Sequence, residues 1–353
     1  MPSSSLAALL GTGFPLIQAP MAGVQGSRLA IAVGQAGALG SLPCAMLSPQ
    51  AMRDELAALR GALGERPCNV NFFCHAPPVP DAEREAAWRA ALAPFHRELG
   101  IDPAAIPAGP GRHPFSAEAA EVLAEFRPRV VSFHFGLPAP GLLARVKAWG
   151  AVVLASATTL DEGLWLQAHG ADAVIAQGLE AGGHRGHFLS SDLTRQSGLF
   201  ALLPQLVAQL RVPVIAAGGI ADAQGVAAAM ALGAAGVQVG TAWLLCDEAT
   251  TSPLHRAALR SEAARHTALT NLFTGRPARG IVNRVIRELG PLSPAAPAFP
   301  LATAAIAPLR ARAEAQGSGD FSPLWSGQNA TGCRELPAAE LVRALVQGFG
   351  PIR

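Results

Sequence analysis

The sequence contains no tyrosine and a single lysine, Lys147, and only 5% of its 353 residues are aromatic. Without tyrosine, no phenolic side chain can serve as an acid or a base. Charged residues make up 15% of the chain, and the formal net charge is +2. This balance offers no concentrated basic face, so nucleic acid is not an expected partner.

Cysteine is also scarce, and apolar runs are short. The five cysteines are scattered: Cys44, Cys68, Cys74, Cys246 and Cys333. An odd number without close pairing argues against a disulfide framework, and we expect a reducing, cytoplasmic location. Residues 1–13 lack the basic start and apolar core of a signal peptide. Glycine, proline or polar residues interrupt each apolar run before about 18 residues, so no membrane span is expected.

Half of the residues are hydrophobic, and many lie in short apolar runs that alternate with helix-like stretches. The apolar runs are typical of strands buried on both faces of a parallel sheet: Pro15–Ala19, Ala38–Leu42, Cys68–Phe73, Val130–Phe135, Ala151–Ala155, Ala173–Ala176, Pro213–Ala217 and Gly236–Val239. The helix-like stretches between them are Ser27–Ala36, Pro49–Ala62, Ala117–Phe126, Gly141–Trp149, Leu160–His169, Leu199–Leu210 and Ala223–Leu232. This alternation predicts an α/β fold, a (β/α)8 TIM-type barrel.

Two segments interrupt the alternation. Residues 75–116 form a proline-rich insertion with a predicted helix over residues 81–99, and long βα insertions usually serve the active-site face of a barrel. Residues 247–322 follow the last strand. We interpret them as a small additional lid domain over the mouth of the barrel, and we expect residues 1–246 to form that barrel and to hold its ligand. Residues 323–353 are interpreted as a C-terminal segment that returns to the barrel.

Glycine-bearing loops follow the seventh and eighth predicted strands, which is the usual position of the phosphate site in barrels. Gly218 and Gly219 allow backbone N–H groups to approach an anion because no Cβ intervenes, and the next helix points its positive end at the same place. The eighth junction adds further amides and a hydroxyl, and its candidate residues are Gln238, Val239, Gly240 and Thr241. Ordinary tight turns are the alternative explanation of these glycines.

The sixth junction combines an amide, two glycines and a histidine. Gln177 ends the predicted strand, where it can hydrogen-bond the edge of a planar ligand, and Gly182 and Gly183 let the backbone pass close to such a ligand. His184 follows on a loop that we expect to be flexible, and a histidine near its ordinary pKa suits proton transfer at neutral pH. The spacing of His184 and His187 fits metal binding on a helix. However, the loop is too rich in glycine to be helical and no carboxylate or cysteine completes a set, so no metal is expected.

Three further junctions carry candidate ligand contacts, namely Ala19, Pro20, Met21, Asn71 and His134. The backbone at the end of the first strand can border a planar ring, although an ordinary strand end is the alternative. Asn71 shares a strand face with Asn69 and lies nearer the mouth. His134 ends the fourth strand and is equally compatible with a core role. Cys74 precedes His75, but nothing in the sequence activates this thiol, so we favour a structural role for it.

The motifs at these junctions resemble those of the nitronate monooxygenase family, formerly called 2-nitropropane dioxygenases. The segments are "PLIQAPMAGV", "NVNFF", "VVSFHFGLP", "ADAVIAQGLEAGGHRG", "PVIAAGGIAD", "GVQVGTAWL", "FTGRPARGIVN" and "PLWSGQ", and the resemblance covers nearly the whole chain. The phosphate loops and the Gln–Gly-Gly-His loop are shared with flavin enoyl-acyl-carrier-protein reductases. The Ser-Phe-His-Phe-Gly strand and the intact Glu180–Gly186 segment favour the first class of nitronate monooxygenases.

The resemblance implies FMN as the cofactor. The FMN contacts that it implies are Asn71, Gln177, Gly182, Gly219 and the run Gln238–Thr241. It also implies that His184 is the catalytic base or the group that anchors the substrate, and it places His134 near the flavin as a second catalytic residue. Family members carry a tyrosine before the Pro-Leu that follows the proline-rich segment, and Phe299 stands at that position here. The missing hydroxyl leaves the preferred substrate open.

The implied substrate is a small anionic alkyl nitronate, such as propionate 3-nitronate. The implied reaction transfers one electron to FMN and then involves O2, giving a carbonyl compound and nitrite. The alternative activity is an NAD(P)H-dependent FMN reductase of quinones or enoyl thioesters; the lack of a Gly-x-Gly-x-x-Gly fingerprint argues only weakly against it. A non-catalytic FMN-binding protein is disfavoured by Gly-Gly-His-Arg in the mouth. A homo-oligomer is compatible with the sequence.

Overall fold

A computed structural model describes residues 6–102, 106 and 112–350. Parallel strands, numbered in chain order, form one sheet of eight: β1 (Leu16–Gln18), β2 (Gly40–Pro43), β3 (Cys68–Phe73), β4 (Val130–His134), β5 (Val152–Ala157), β6 (Ala173–Gln177), β8 (Val214–Ala217) and β9 (Gly236–Val239). The strand order is β1-β9-β8-β6-β5-β4-β3-β2, and a parallel bridge between Ile17 and Leu39 joins the two edges. The predicted (β/α)8 barrel is therefore confirmed, and each predicted strand overlaps one of these strands.

Helices surround the sheet at the predicted positions. They are α2 (Ser27–Gln35), α3 (Pro49–Leu63), α5 (Ala117–Phe126), α6 (Pro140–Ala148), α7 (Leu160–Ala168), α8 (Leu199–Gln209) and α9 (Ala223–Ala231). Local sequence explains several of their ends. The Ser48 hydroxyl caps α3 by accepting a hydrogen bond from the amide of Ala51. Gly170 and Gly233 follow α7 and α9 with φ angles of 100° and 94°, which glycine adopts without strain.

The first and last helices complete the barrel at its amino-terminal end and after its last strand. α1 (Leu6–Leu10) packs its two end leucines against the apolar interior of the sheet, where Ile17 and Ile215 lie. This covers the amino-terminal end of the barrel. α13 (Ala338–Val346) packs against α2 and α9. It therefore takes the place of the crossover helix that would otherwise follow the last strand.

The two segments that interrupt the alternation pack on each other. α4 (Ala82–Glu98) comes from the insertion after β3, whereas α10 (Pro253–Arg260), α11 (Arg284–Leu289) and α12 (Thr303–Ala315) follow the barrel. Trp88, Leu92, Ile306 and Leu309 belong to one hydrophobic cluster, which is separate from the barrel clusters. Their contact was not predicted from the sequence, because it joins residues about two hundred positions apart. The exact limits of a lid domain stay a prediction.

A small second sheet lies beside the mouth of the barrel. It consists of β10 (Thr267–Thr270), β11 (Ala278–Ile281) and the two-residue β7 (Gly183–His184), in the order β10-β11-β7. β7 comes from the loop after β6, so this sheet ties the sixth βα junction to the segment that follows the barrel. Within the described ranges, no helix is both long enough and apolar enough to cross a membrane.

Candidate active site

A cavity of about 200 Å³ opens at the carboxyl ends of the barrel strands. Successive strand residues point alternately inward and outward, and the inward residues change from apolar to polar toward the mouth. Leu154, Ile175 and Ile215 belong to the apolar interior. The cavity floor above them is made of Asn71, Ser132, Ser156, Gln177, Ala217 and Gln238. Sequence reasoning missed Ser132 and Ser156, although each is an isolated polar residue in an apolar strand.

Glycine amides after β8 form one wall of the cavity. Gly218 and Gly219 have φ angles of 118° and 73°, and a Cβ on Gly218 would lie 3.1 Å from the amide nitrogen of Ala181. The position therefore requires glycine. The predicted role of the following helix terminus needs correction, because the carboxylate of Asp222 already caps α9 through the Gly225 amide at 2.8 Å. An anion here would be bound by the loop amides.

A C-terminal segment around Gly327 forms a further wall that the site prediction did not include. The Gly327 amide donates to Thr241 Oγ1 at 2.9 Å, and Asn329 Nδ2 donates to the carbonyl of Gly219 at 3.0 Å. A Cβ on Gly182 would lie 2.5 Å from the nitrogen of Gly327. The segment thus braces both phosphate-type loops and the sixth loop. Only the family-like "PLWSGQ" pattern pointed to it in the sequence.

The polar atoms of the cavity fit FMN. Gln238 lines the cavity, and its buried Oε1 has no hydrogen-bond partner among the described residues. A buried amide oxygen of this kind requires a donor, which the imide N–H of the flavin ring or a ribityl hydroxyl can supply. Val239 differs from its neighbours, because its side chain lies in the outer barrel core. Its carbonyl accepts from Ala19 N and Trp243 Nε1, both at 2.8 Å, so only the rest of the predicted run faces the cavity.

The sixth loop is held by β-sheet pairing and by Gln177. His184 lies opposite Ala278 in the β7–β11 pair, so the expectation of a flexible loop is wrong. The partner strand lies far along the chain, and no local signal shows it. Gln177 Nε2 donates to the carbonyl of His184 at 2.9 Å, and its Oε1 accepts from the amide of Gly186 at 2.8 Å. The Gln177 amide therefore holds the loop, while its side chain still lines the cavity.

Arg185 holds the same loop where it leaves β6. Its guanidinium is fully buried and donates to the carbonyls of Gln177 and Gly178 at 2.8 and 2.7 Å and to Gln196 Oε1 at 2.8 Å. Burial lowers the pKa of Arg185 to about 10, so it stays a cation at neutral pH. Its contacts are all with the protein, which makes it a structural arginine.

His184 lies beside three aromatic side chains, Phe73, Phe299 and Trp325, which we call the aromatic wall. Its ring centroid is 5.4 Å from that of Phe299 and 5.6 Å from that of Trp325, and Nε2 lies 2.9 Å from Thr274 Oγ1. Burial, and secondarily the charge of Arg112, lowers the pKa of His184 well below 6.5. The imidazole is therefore neutral at pH 7, with Nδ1 as the nitrogen not engaged by Thr274.

His134 reaches the cavity but uses both ring nitrogens within the protein. Nε2 lies 3.1 Å from the carbonyl oxygen of His184, and Nδ1 lies 3.0 Å from Ser156 Oγ. A carbonyl can only accept, so Nε2 carries the proton and Nδ1 accepts from the serine hydroxyl. Burial lowers the pKa of His134 to about 4. These contacts suit a residue that positions His184, whereas the sequence had grouped His134 with the catalytic residues.

The remaining predicted residues divide between the cavity and the core. Those that line the cavity are Ala19, Pro20, Met21, Gly182, Gly183, Gly240 and Thr241. Phe299 is 7% exposed and packs against the rings of His184 and Phe73. Those two residues line the cavity and Phe299 itself does not, so the position without a tyrosine hydroxyl lies directly behind the lining. Burial raises the pKa of the Cys74 thiol, in keeping with a structural role. In the described part of the chain, no group of three or more His, Cys, Asp or Glu side chains could hold a metal ion.

Comparison with known proteins gives concordant matches over nearly the whole chain. The family model described as "Nitronate monooxygenase" matches residues 3–348. A nitronate monooxygenase of Paraburkholderia phytofirmans is 44% identical over 345 residues, covering 97% of this chain and 93% of the relative. One from Pseudomonas aeruginosa is 42% identical over 348 residues, covering 96% and 97%. The structure of a nitroalkane oxidase from Streptomyces ansochromogenes matches with a TM-score of 0.88 and 40% identity, covering 98% of each chain.

Proposed function

Because this chain belongs to the nitronate monooxygenase family, we propose that it binds FMN and uses O2 to convert alkyl nitronates into carbonyl compounds and nitrite. The observation that carries the proposal is one cavity that Gly218, Gly219 and His184 all line. No aspartate or glutamate is found among its described lining residues. The FMN phosphate and a nitronate are both anions, which a wall without carboxylates favours.

The FMN phosphate is proposed to bind the loop amides from Gly218 to Ile220 together with Gly240 and Thr241. Thr241 Oγ1 already accepts from Gly327, so its hydroxyl proton is free for an anion. The unpaired Gln238 Oε1 would accept from the ring or the ribityl chain. When bound, FMN supplies the one-electron oxidation of the nitronate and the onward transfer of electrons to O2.

His184 is proposed to act on the substrate in its neutral form. Desolvation lowers the pKa of its half-buried ring. Thr274 holds Nε2, which leaves Nδ1 to accept a proton from the carbon beside a nitro group. Neutral nitroalkanes can then be converted to nitronates in place. When a nitronate is supplied directly, its carbon has already lost the proton. Nδ1 then accepts nothing, and the ring only borders the substrate.

The aromatic wall is proposed to keep water away from the reacting atoms. Phe73, Phe299 and Trp325 all have ring centroids within 6.1 Å of the His184 ring. An apolar surround of this kind strengthens electrostatic contacts and limits the loss of reactive species to solvent.

The test is oxygen consumption and nitrite release by the purified protein loaded with FMN. We expect both with propionate 3-nitronate, in parallel, and no comparable oxidation of NADPH in the presence of a quinone. Rapid anaerobic bleaching of the flavin by NADPH without nitronate turnover would instead establish the reductase alternative. Failure to retain any FMN would contradict the proposal at the cofactor.

Partners and location stay predictions from the sequence. We propose a cytoplasmic protein that acts on a small anionic substrate and O2, without a nucleic-acid or membrane partner. The sequence is compatible with a homo-oligomer. Cell fractionation and light scattering of the purified protein test these points.

A further inference from the structure

Arg112 places an unpaired cation on the wall of the cavity. It lines the cavity, and its Nη1 is buried without a hydrogen-bond partner among the described residues. Burial and the nearby charge of Arg310 lower its pKa, and among the described residues no acidic side chain acts against this shift. A buried guanidinium nitrogen without an acceptor is costly, so the arrangement calls for a ligand that supplies one.

Other buried or half-buried arginines in this region have hydrogen-bond acceptors. Arg185 makes three hydrogen bonds, Arg276 donates to the carbonyl of His187, and Arg279 Nε donates to the carbonyl of Leu179 at 2.8 Å. All of these contacts hold the sixth loop. Arg112 differs because its head group makes no such contact, although its own carbonyl accepts from His75 Nε2 at 3.0 Å. The backbone of Arg112 is therefore anchored, while its guanidinium is available to a ligand in the cavity.

The guanidinium and the His184 ring have Phe299 as a common neighbour. The Arg112 Cζ atom lies 5.6 Å from the centroid of the Phe299 ring, and the His184 centroid lies 5.4 Å from it. Phe299 has no hydroxyl and does not itself line the cavity, whereas Arg112 does line it, so Arg112 supplies a strong hydrogen-bond donor there. A short substrate that reacts beside His184 can therefore extend toward the guanidinium.

We propose that Arg112 binds a carboxylate at the end of the substrate that is remote from the reacting carbon. The enzyme would thereby select nitronates that carry a second negative charge. A planar guanidinium can bind a carboxylate through two parallel hydrogen bonds, which favours it over a neutral group of the same shape. This inference rests on the proposed function, since it assumes that the substrate is a nitronate.

The experiment compares two substrates of matched shape. Propionate 3-nitronate carries the carboxylate, and 3-methylbutane 1-nitronate carries an isopropyl group in its place. In Arg112→Met we expect the kcat/KM for the carboxylate substrate to fall by about 10- to 100-fold, mainly through KM, which is the loss expected for a charge-assisted hydrogen bond. The isopropyl substrate should change by less than about twofold, and Arg112→Lys should give an intermediate loss because it keeps the charge without the planar head.

The matched control is Arg310→Met, which removes a nearby positive charge that does not line the cavity. It should leave the preference between the two substrates as in the natural protein. Equal losses for both substrates in Arg112→Met would overturn the proposal, and so would an unchanged preference in both Arg112 variants. FMN content and melting temperature show that each variant is folded; if Arg112→Met is not, the Arg112→Lys comparison decides.

A binding measurement separates this proposal from the proposed function. Calorimetric titration of the FMN-loaded protein with 3-nitropropionate and with 3-methyl-1-nitrobutane, carried out without O2 so that the compounds are not turned over, measures binding alone. Binding of the carboxylate compound that is at least about 10-fold weaker in Arg112→Met supports the anion site, even if no nitronate were oxidised. Equal binding in the natural protein and the variant excludes it. Lack of nitronate turnover by the natural protein contradicts the proposed function alone.

Discussion

At the scale of single residues, the site contains two half-buried histidines, His134 and His184, whose ring nitrogens differ in how far the protein engages them. His134 gives both ring nitrogens to Ser156 and to the backbone of His184, whereas His184 gives one nitrogen to Thr274. Burial lowers the pKa of both rings, so both imidazoles are neutral at pH 7. The one with a spare nitrogen is the candidate for proton transfer, and the other orients it.

We predict that His184→Asn lowers the kcat for nitroalkanes by about 10²- to 10⁴-fold, the usual contribution of a general base. Asparagine keeps a polar group near Thr274 but cannot accept the proton. FMN should stay bound, because the phosphate loops are untouched. Steady-state oxygen consumption and the flavin absorption spectrum measure the two effects.

The nitronate form of the same compound provides the control. If His184 acts as a base, supplying the nitronate should restore most of the lost rate in His184→Asn, because no proton then has to leave carbon. His134→Asn should reduce turnover of both forms equally, as expected for a positioning residue. Unchanged nitroalkane turnover in His184→Asn would remove His184 from the chemistry.

At the scale of elements, the barrel strands were predictable because their sequences are apolar throughout and their turns carry glycine. β6 and β8 are buried over their full lengths, as a strand covered on both faces requires. The pairing of β7 with β11 was not predictable. β7 has two residues, Gly183 and His184, with no alternating pattern, and its partner is supplied by a distant segment.

The same distinction applies to the site. Gly218, Gly219 and His184 could be identified because glycine pairs and a histidine at strand ends have few structural explanations. Arg112 and Asn329 could not, because an arginine in a proline-rich insertion and an asparagine near the C-terminus are ordinary surface residues in sequence. Only long-range packing brings them to the cavity.

The close approach of the sixth loop to the C-terminal segment gives a test at this scale. In Gly182→Ala, the new Cβ would lie 2.5 Å from the nitrogen of Gly327 and 2.6 Å from the carbonyl carbon of Ser326. Both are backbone atoms, so one of the two segments must move. We expect a lower melting temperature and an FMN dissociation constant about 10-fold higher or more, because about 1.4 kcal/mol of lost binding energy is tenfold in affinity.

Gly61→Ala is the matched control. Gly61 lies inside α3, and a Cβ there would meet no atom within 4 Å. Alanine in a helix interior should raise stability by about 0.4–1 kcal/mol and leave FMN affinity unchanged. Thermal melting and fluorescence titration with FMN measure both variants. If Gly182→Ala binds FMN as tightly as Gly61→Ala, the two segments are not a rigid part of the cofactor site.

At the scale of the whole molecule, neutral histidines with little exposure lie at the end of β4, in the sixth loop and in α10 after the barrel. His134 contacts the sixth loop, and His255 Nε2 donates to the carbonyl of Trp325 at 3.0 Å. His187 is buried and has its own carbonyl bound by Arg276. Burial is the main cause that lowers the pKa to about 4 for His134, about 3 for His187 and about 4 for His255.

These histidines predict acid sensitivity that begins well above the titration of ordinary carboxylates. Each native pKa lies below the unfolded value of about 6.5, so the unfolded chain binds more protons between the two values. Stability is therefore fully present above about pH 6.5 and is lost as the pH falls toward about 4, by up to about 1.4 kcal/mol per pH unit for each ring. We expect the free energy of unfolding in urea, at saturating FMN, to be several kcal/mol lower at pH 5 than at pH 7.5.

His255→Gln isolates one of these rings. Glutamine keeps an N–H donor for the Trp325 carbonyl but does not titrate, so the difference in unfolding free energy between pH 7.5 and pH 5 should shrink by up to about 2 kcal/mol, the value for one ring over that interval. Working above pH 5 keeps most carboxylates ionised in both states. Two results would contradict this: the same free energy of unfolding at pH 7.5 and pH 5 in the natural protein, or a difference that His255→Gln leaves unchanged. Either would mean that these rings are protonated in acid without global unfolding. The segment after the barrel that contains His255 would then open as a separate unit rather than share the cooperative unfolding of the barrel.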